Sequence, residues 1–589
     1  MSGTDNYEFL KSSAPQDVSN YTPYNRKDWN YVNDINNGVY TNNSMSLVQF
    51  DLSSIYNSSK FVDISDLYCV LPITIVTALT SNVPALVAPT NVLATAIASL
   101  KTNHINLIHQ ADLVVGGKVI EQTQPYINKF VDFKMMSEMS AADLKTLGPS
   151  LGFASELDNP SSIQYVATAG ASYSGVGVCN NRPFTSGAAG ANTFPTKLST
   201  VQNNVTNVVN TALSQKCSTR YVDTVAGAGI TSQNIYGGAA GIVNLMNASQ
   251  LSNEFKPYYT LLATNYMVYY DACVIRLKDL FDSIANWGLS KRFDGIVRLY
   301  VNTGSLEVTV ANPNTTTLGY NCTITASTFT NTCPITVNYL PDTNANGGLP
   351  ASVYKIASGL YIARPPATSL SGVNMASSGA SHPMQCARMY YSQVELKPSV
   401  AEKYIQENRA KKIVYRAVLT NTATAITSGS SWSQLVQSGV TNPSSVIIMP
   451  FIDSSVASSG NFGPGGSPFD TNLAHPLSLT NLQVSVGGVN QLNNSMFFTY
   501  EEFLTQVNLF EQLTSSDLGI SCGLISREFW EMNRVYCVNV SRGNDADKNT
   551  PRNINVSFNN NTNVSIGVLI FIAYYDELTL DVETGLVKK

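Results

Sequence analysis

The sequence predicts a mainly β protein built as two related β-sandwiches in tandem, with a few short helices and long surface loops. Three observations carry this. Short runs rich in Val, Ile, Phe and Tyr dominate the chain, bounded by Asn, Gly, Ser or Pro as strands are. Helical patterns are few and short. One order of strand, Gly-Gly, strand and helix occurs twice, and a repeated order points to a repeated unit.

The strand runs are Ser46–Asp51, Leu67–Val76, Gly295–Val301, Leu306–Val310, Val446–Ile452, Val535–Val540 and Val564–Tyr574. Thr499-Tyr-Glu-Glu502 has the spacing of a capping box, and Tyr500, Phe503, Leu504 and Val507 then share one helical face. Arg276–Trp287 puts Leu277, Leu280, Phe281 and Ile284 on one stripe that Gly288 can close. Ser399-Val-Ala-Glu402 opens a third helix. Many strands with a few one-faced helices describe sandwiches that carry helices on their connections.

The repeat is Leu113-Val-Val-Gly-Gly117 and Val484-Ser-Val-Gly-Gly488. Gly-Gly between β runs marks a tight hairpin, because both turn positions can require positive φ. Gly116, Gly117, Gly487 and Gly488 are therefore the candidate structural turn residues. A helix pattern follows each hairpin, with Tyr126, Phe130 and Phe133 in the first copy and Tyr500, Phe503 and Val507 in the second. The chain thus divides into an N-terminal arm (1–45), a first sandwich (46–387) and a second sandwich with a C-terminal tail (388–589). Long loop insertions near 161–248 and 341–382, rich in small and polar residues, belong to the first sandwich.

Composition excludes several functions. Charged residues make up 13% of the chain, about half the usual share, and the net charge is −5. No clustered basic run is present; the tail ends in only Lys588 and Lys589. A general nucleic-acid binder would show such a footprint, so sequence-specific or packaging contacts with nucleic acid are not expected. Met1–Tyr40 lacks a basic segment followed by an apolar one, and Ile566–Tyr575 is far shorter than the roughly 20 residues of a membrane helix. A soluble intracellular product is expected. The nine Cys are scattered and odd in number, which favours free thiols. Cys322 and Cys333 stand at a spacing open to a hairpin pairing, which spacing alone does not decide.

Catalytic and ligand-binding signatures do not assemble. Gly117-Lys118 has Asp112 where a phosphate-binding loop needs its first glycine. Gly463-Pro-Gly-Gly466 lacks a strand-to-helix setting, and no Gly-x-Ser-x-Gly elbow occurs. The four histidines, His104, His109, His382 and His475, read as ordinary core or surface imidazoles. Glu501 and Glu502 diverge on a helix. No catalytic, cofactor-binding or metal-ligating residue is predicted, and no cofactor.

Three blocks resemble a known family. Ser46-Leu-Val-Gln-Phe-Asp-Leu-Ser-Ser-Ile-Tyr-Asn57 with Phe61–Ile73 resembles the opening of the double jelly-roll major capsid proteins of polinton-like viruses and virophages. Tyr269-Tyr-Asp-Ala-Cys-Val-Ile-Arg-Leu-Lys-Asp-Leu280 is similar to the helix-leading segment of that family's first jelly roll. Arg388-Met-Tyr-Tyr-Ser-Gln-Val-Glu-Leu-Lys-Pro398, with Tyr404–Tyr415, is similar to the entry of its second. The resemblance implies two tandem jelly rolls and a structural protein without enzymatic activity. It implies a homotrimer forming a pseudo-hexagonal capsomer that tiles, with neighbouring capsomers, the icosahedral shell of a double-stranded DNA virus. Penton and minor capsid proteins are the further partners it implies, and an internal membrane is compatible with it. The implied location is the virion, after synthesis in the host cytoplasm or a viral factory.

The main alternative is a non-catalytic carbohydrate-binding or adhesive β-sandwich protein, since Asn-rich loops and thirty Tyr suit sugar contacts. Missing secretion signals and unpaired Cys count against it. A minor capsid or spike protein shares one jelly roll less awkwardly than two. An enzyme set in the unmatched loops comes last.

Overall fold

The computed structural model describes residues 23–81, 96–152, 266–311, 321–339, 354–374, 381–452, 477–511, 522–541 and 550–589, with breaks of a few residues inside some ranges. It also describes short strands at 165–173, 220–221 and 258–263.

The first unit uses strands β1 (Tyr24–Asn33), β2 (Met45–Asp51), β3 (Phe61–Ser81), β4 (Ile108–Val115), β5 (Lys118–Gln122), β6 (Tyr266–Arg276), β7 (Gly295–Asn302) and β8 (Arg388–Leu396). One of its sheets contains the order β1–β8–β3–β6, and the other runs β2–β7–β4–β5. The second unit uses β9 (Lys411–Ile426), β10 (Ser431–Val440), β11 (Pro443–Ile452), β12 (Leu479–Val486), β13 (Val489–Asn490), β14 (Tyr536–Asn539), β15 (Arg552–Asn560) and β16 (Ile566–Leu580). Its sheets run β9–β16–β11–β14 and β10–β15–β12–β13. Adding eight to each label of the first unit reproduces every neighbour relation in the second. Two four-strand layers whose successive strands cross between them form a jelly roll, and the chain forms it twice.

Alternation places the core. In β15 Ile554, Val556 and Phe558 are buried between the more exposed Asn555 and Ser557, and in β2 Val48 and Phe50 point inward. The two Gly-Gly pairs lie between β4 and β5 and between β12 and β13. Their φ values are 56° and 76° at Gly116 and Gly117, and 58° and 81° at Gly487 and Gly488. Two consecutive positive φ values are the geometry of a two-residue hairpin whose twist matches its strands. A helix follows each hairpin: α1 (Ile127–Glu138) in the first unit, and α3 (Tyr500–Glu511) in the second. Between the units lies α2 (Pro398–Glu407), and α4 (Arg527–Met532) precedes β14.

Several boundaries differ from the sequence-based expectation. Tyr24–Asn33 falls in the expected arm, yet forms β1 against β8 from Tyr24 opposite Leu396 to Asn33 opposite Arg388. As an edge strand it carries polar, mostly exposed residues, so it lacks a buried strand's pattern. Residues 1–22 of that arm lie outside the described residues. Arg388, where the domain change is expected, opens β8, which pairs with β3 and β1, and β9, from Lys411, pairs with β16. Arg276–Trp287 is not one helix: β6 runs to Arg276, and two short helices follow at Leu277–Leu280 and Asp282–Ala285. The expected loop at 341–382 contains the strand Tyr354–Ile362, which pairs with the far half of β3 from Ser81 to Ile73. The stretch at 161–248 lies largely outside the described residues. Among the described residues no helix is long and apolar enough to cross a membrane.

Candidate functional site, the seam between the two sandwiches

One contiguous cluster of buried apolar residues includes Val48 at one end of the chain and Val582 at the other, so the two sandwiches share a core. The join is built from α1, β5 and the short helices after β6 on one side, and from β9, β16 and α3 on the other. Phe130 of α1 packs 5.9 Å from Phe571 of β16, and Phe133 lies 6.3 Å from Phe503 of α3. These are the aromatic positions that follow the two Gly-Gly hairpins in sequence. Burying rings of this size removes the largest apolar areas any side chains offer.

Polar groups fix the register of the apolar join. Asp282 accepts the backbone N–H of Arg416 at 2.8 Å and pairs with Lys134 at 3.2 Å. Burial raises its carboxyl, but Lys134 and Arg416 outweigh that and hold it below its ordinary value. Glu121, fully buried, accepts the backbone N–H groups of Asp282 at 3.2 Å and Ser283 at 3.1 Å, and also the Ser283 hydroxyl. Burial, with the nearby Asp282, pushes Glu121 up to about 7 despite these donors. A cavity of about 30 Å³ lies between Glu121, Phe130, Lys134, Asp282 and Arg416, room for about one water. Further contacts close the seam. The Tyr415 hydroxyl donates to Asp576 at 2.9 Å and lies 3.4 Å from the carbonyl of Ile120. Lys589 reaches the same carbonyl at 2.9 Å, and Lys411 donates to the carbonyl of Trp287 at 2.8 Å. This arrangement can hold two sandwiches in one orientation.

The histidines have structural surroundings. His109 is buried edge-on to Tyr126 at 4.9 Å, and burial lowers it to about 4. Burial likewise lowers His382 to about 4, while its Nδ1 accepts the N–H of Met384 at 3.0 Å. His475 lies outside the described residues. His104, Asp271 and Cys273 bring three possible ligand atoms within 4.8 Å of one another. His104 Nδ1 lies 3.1 Å from the backbone nitrogen and 3.3 Å from the carbonyl oxygen of Val274, and Nε2 lies 3.6 Å from Asp271. Burial also raises the Cys273 thiol well above its ordinary value. Cys333 is buried, with its thiol donating to the carbonyl of Ile335 at 3.4 Å, and the side chain of Cys322, its possible hairpin partner, lies outside the described residues. Glu501 and Glu502 do diverge: Glu501 is exposed and pairs with Arg527 at 3.4 Å, while Thr499 caps the helix through the N–H of Glu502.

Sequence reasoning missed Glu121, Asp282 and Arg416. The only signal was acidic residues beside the expected Arg276–Trp287 helix, and their partner Arg416 is 134 positions away.

No protein-family model matches the sequence, and no curated protein does. Solved structures similar to this chain include a chain of the Sputnik virophage, 10% identical, covering 98% of this chain and 91% of that chain with a TM-score of 0.47. The mavirus major capsid protein is 9% identical, covering 99% of this chain and 93% of that one with a TM-score of 0.42. The faustovirus major capsid protein is 9% identical, covering 96% and 92% with a TM-score of 0.40.

Proposed function

We propose that this chain is a major capsid protein, a structural building block without catalytic activity. One observation carries the reading: two jelly rolls with the same strand order are joined through a continuous core. A chain with repeated halves suits tiling, since the same strand framework recurs in both. The family resemblance of Ser46–Asn57, Tyr269–Leu280 and Arg388–Pro398 supports the same reading. A charged share of 13% supports it too, because sparse charge limits repulsion among many packed copies.

In this reading three copies form a capsomer of six jelly rolls, and capsomers tile the icosahedral shell of a double-stranded DNA virus. Obligate subunit contacts of this type bury about 2,000–5,000 Å² or more. Penton and minor capsid proteins complete the shell, and the protein resides in the virion. The domains are then an N-terminal extension before β1, a first roll through β8, and a second roll from β9. Native mass spectrometry with negative-stain imaging of the same sample tests the reading. A particle of three chain masses with a hexagonal outline is expected. A monomer across salt and pH overturns it and makes a glycan array the next measurement.

A further inference from the structure

The first sandwich holds a buried polar cluster that neither the seam nor the assembly role uses. Asp271 and Cys273 alternate with the half-buried Ala272 and Val274 along β6, so they share that strand's inward face. His104 opens the short 3-10 turn His104–Leu107 just before β4. His104, Asp271 and Cys273 are 6%, 4% and 0% exposed, and one donor atom from each lies within 4.8 Å of the others.

Backbone geometry sets the imidazole in place. Asn103, at φ 73°, turns the chain into His104, gives its N–H to the carbonyl of Gly152 at 2.8 Å and takes the N–H of Ile105 on its side chain at 3.1 Å. Gly152, at φ 66°, lies against the ring where any Cβ would collide. Nδ1 faces the backbone of Val274, whose carbonyl oxygen is 3.3 Å away, and Nε2 faces Asp271. One ring nitrogen on a backbone carbonyl, with the other turned to further donors, is how proteins orient a metal-binding histidine. His382 bonds the backbone of Asp271, so it supports the strand there and stands outside the donor set.

An ion pair within the chain fits the spacing less well than a shared ion. Charge-assisted N–H···O bonds close to about 2.7–2.9 Å, yet Nε2 and the Asp271 carboxylate stand 3.6 Å apart although both are buried. Two ligand atoms, each about 2.0–2.2 Å from one tetrahedral ion, stand about 3.3–3.6 Å from each other. One nitrogen, one carboxylate oxygen and one sulfur suit zinc better than a hard ion that seeks only oxygen. The thiol is the group that has to change, since burial and then Asp271 favour its proton. A bound cation reverses that balance, and the proton passes to solvent as the sulfur binds.

We propose that His104, Asp271 and Cys273 hold one zinc ion, with a water in the fourth position, as a structural clip inside the first sandwich. His104 and Val274 are 170 positions apart, and a cross-link that closes a long loop gains more than one that closes a short loop. Because the donors are buried, the ion enters as the chain folds. The site belongs to the folded chain itself and does not rest on the assembly reading.

The test is elemental analysis by plasma mass spectrometry of chain produced in zinc-supplemented medium and desalted without chelator. One zinc per chain is expected in the wild type, and at least tenfold less in His104→Ala, Asp271→Asn and Cys273→Ala. Cys386→Ala removes a half-buried thiol outside the cluster and should retain the metal. Production with cobalt in place of zinc gives a second readout that needs no variant to fold. The wild type should then show tetrahedral cobalt absorption together with a sulfur-to-cobalt charge-transfer band. Wild-type chain that carries neither metal overturns the site. So does full zinc in a folded His104→Ala or Cys273→Ala variant, zinc lost from Cys386→Ala alone, or cobalt bound without the sulfur band.

Discussion

Ser283 donates its backbone N–H, at 3.1 Å, and its hydroxyl to the buried carboxyl of Glu121, tying β5 to the first turn of the short helix that faces the second unit. The neighbouring Asp282 carries the bond across the seam to Arg416. Two carboxyls thus sit side by side with different duties: Asp282 is held ionised by cations, whereas Glu121 is raised by burial to about 7.

That difference sets a pH dependence. A carboxyl raised from 4.5 to about 7 on folding holds its proton more tightly in the folded state. The stability it contributes is full below pH 4.5 and is lost as pH rises to about 7. The loss is on the order of 3 kcal/mol from this group. Glu121→Gln keeps an acceptor for Ser283 and removes the titration. Calorimetry at steps from pH 5 to 8 should show a melting temperature that falls for the wild type and stays flatter for the variant, with the two curves furthest apart at pH 8.

The hairpin glycines give a second expectation. At Gly117 and Gly488 an added Cβ meets nothing within 4 Å, so only the backbone objects, at φ 76° and 81°. Replacing either with Val should destabilise by about 1–3 kcal/mol. Soluble yield and melting temperature report it, and unchanged values in both variants would remove the turn argument.

Gly152 gives a steric counterpart. Its φ is 66°, and a Cβ there would run into the His104 ring, whose Nδ1 lies against the backbone of Val274. Gly152→Ala should cost about 2–4 kcal/mol, strain and collision together. Because the collision is with one ring, a His104→Ala background should absorb part of the loss. A double-mutant cycle on denaturant unfolding measures this, and strict additivity would show that the ring is not the obstacle.

The fold was legible where residues alternate or turn. β2 and β7 read as strands because one face is apolar, and the Gly-Gly pairs marked both hairpins, whereas β15, with Asn and Ser between its apolar residues, went unread. β1 was illegible because an edge strand with Arg26, Asp28 and Asn30 has no buried face to announce it. Arg388–Leu396 reads as an entry strand, and its pairing with β3 rests on residues more than 300 positions away, which leaves no local signal. At the seam the aromatic residues of α1 and α3 were visible by spacing. The Glu121–Asp282–Arg416 network was not, since polar contacts between distant segments leave no local period.

The aromatic pair across the seam decides whether the two rolls behave as one body. Phe130 and Phe571 are buried and 5.9 Å apart, on α1 and β16. Truncation of a buried ring costs about 3–5 kcal/mol through lost burial and the cavity left behind. Here the loss falls on the join rather than on either sandwich interior, so it should also divide the cooperative unit. The wild type should melt in a single transition, because one cluster spans both units. Phe130→Ala should lower the melting temperature and split the transition in two, the second close to wild type. Adding Phe571→Ala should cost less than it does alone, with a coupling of about 0.5–1.5 kcal/mol for the lost ring pair. Two transitions already present in the wild type would mean that each jelly roll carries its own stability and that the seam only orients them.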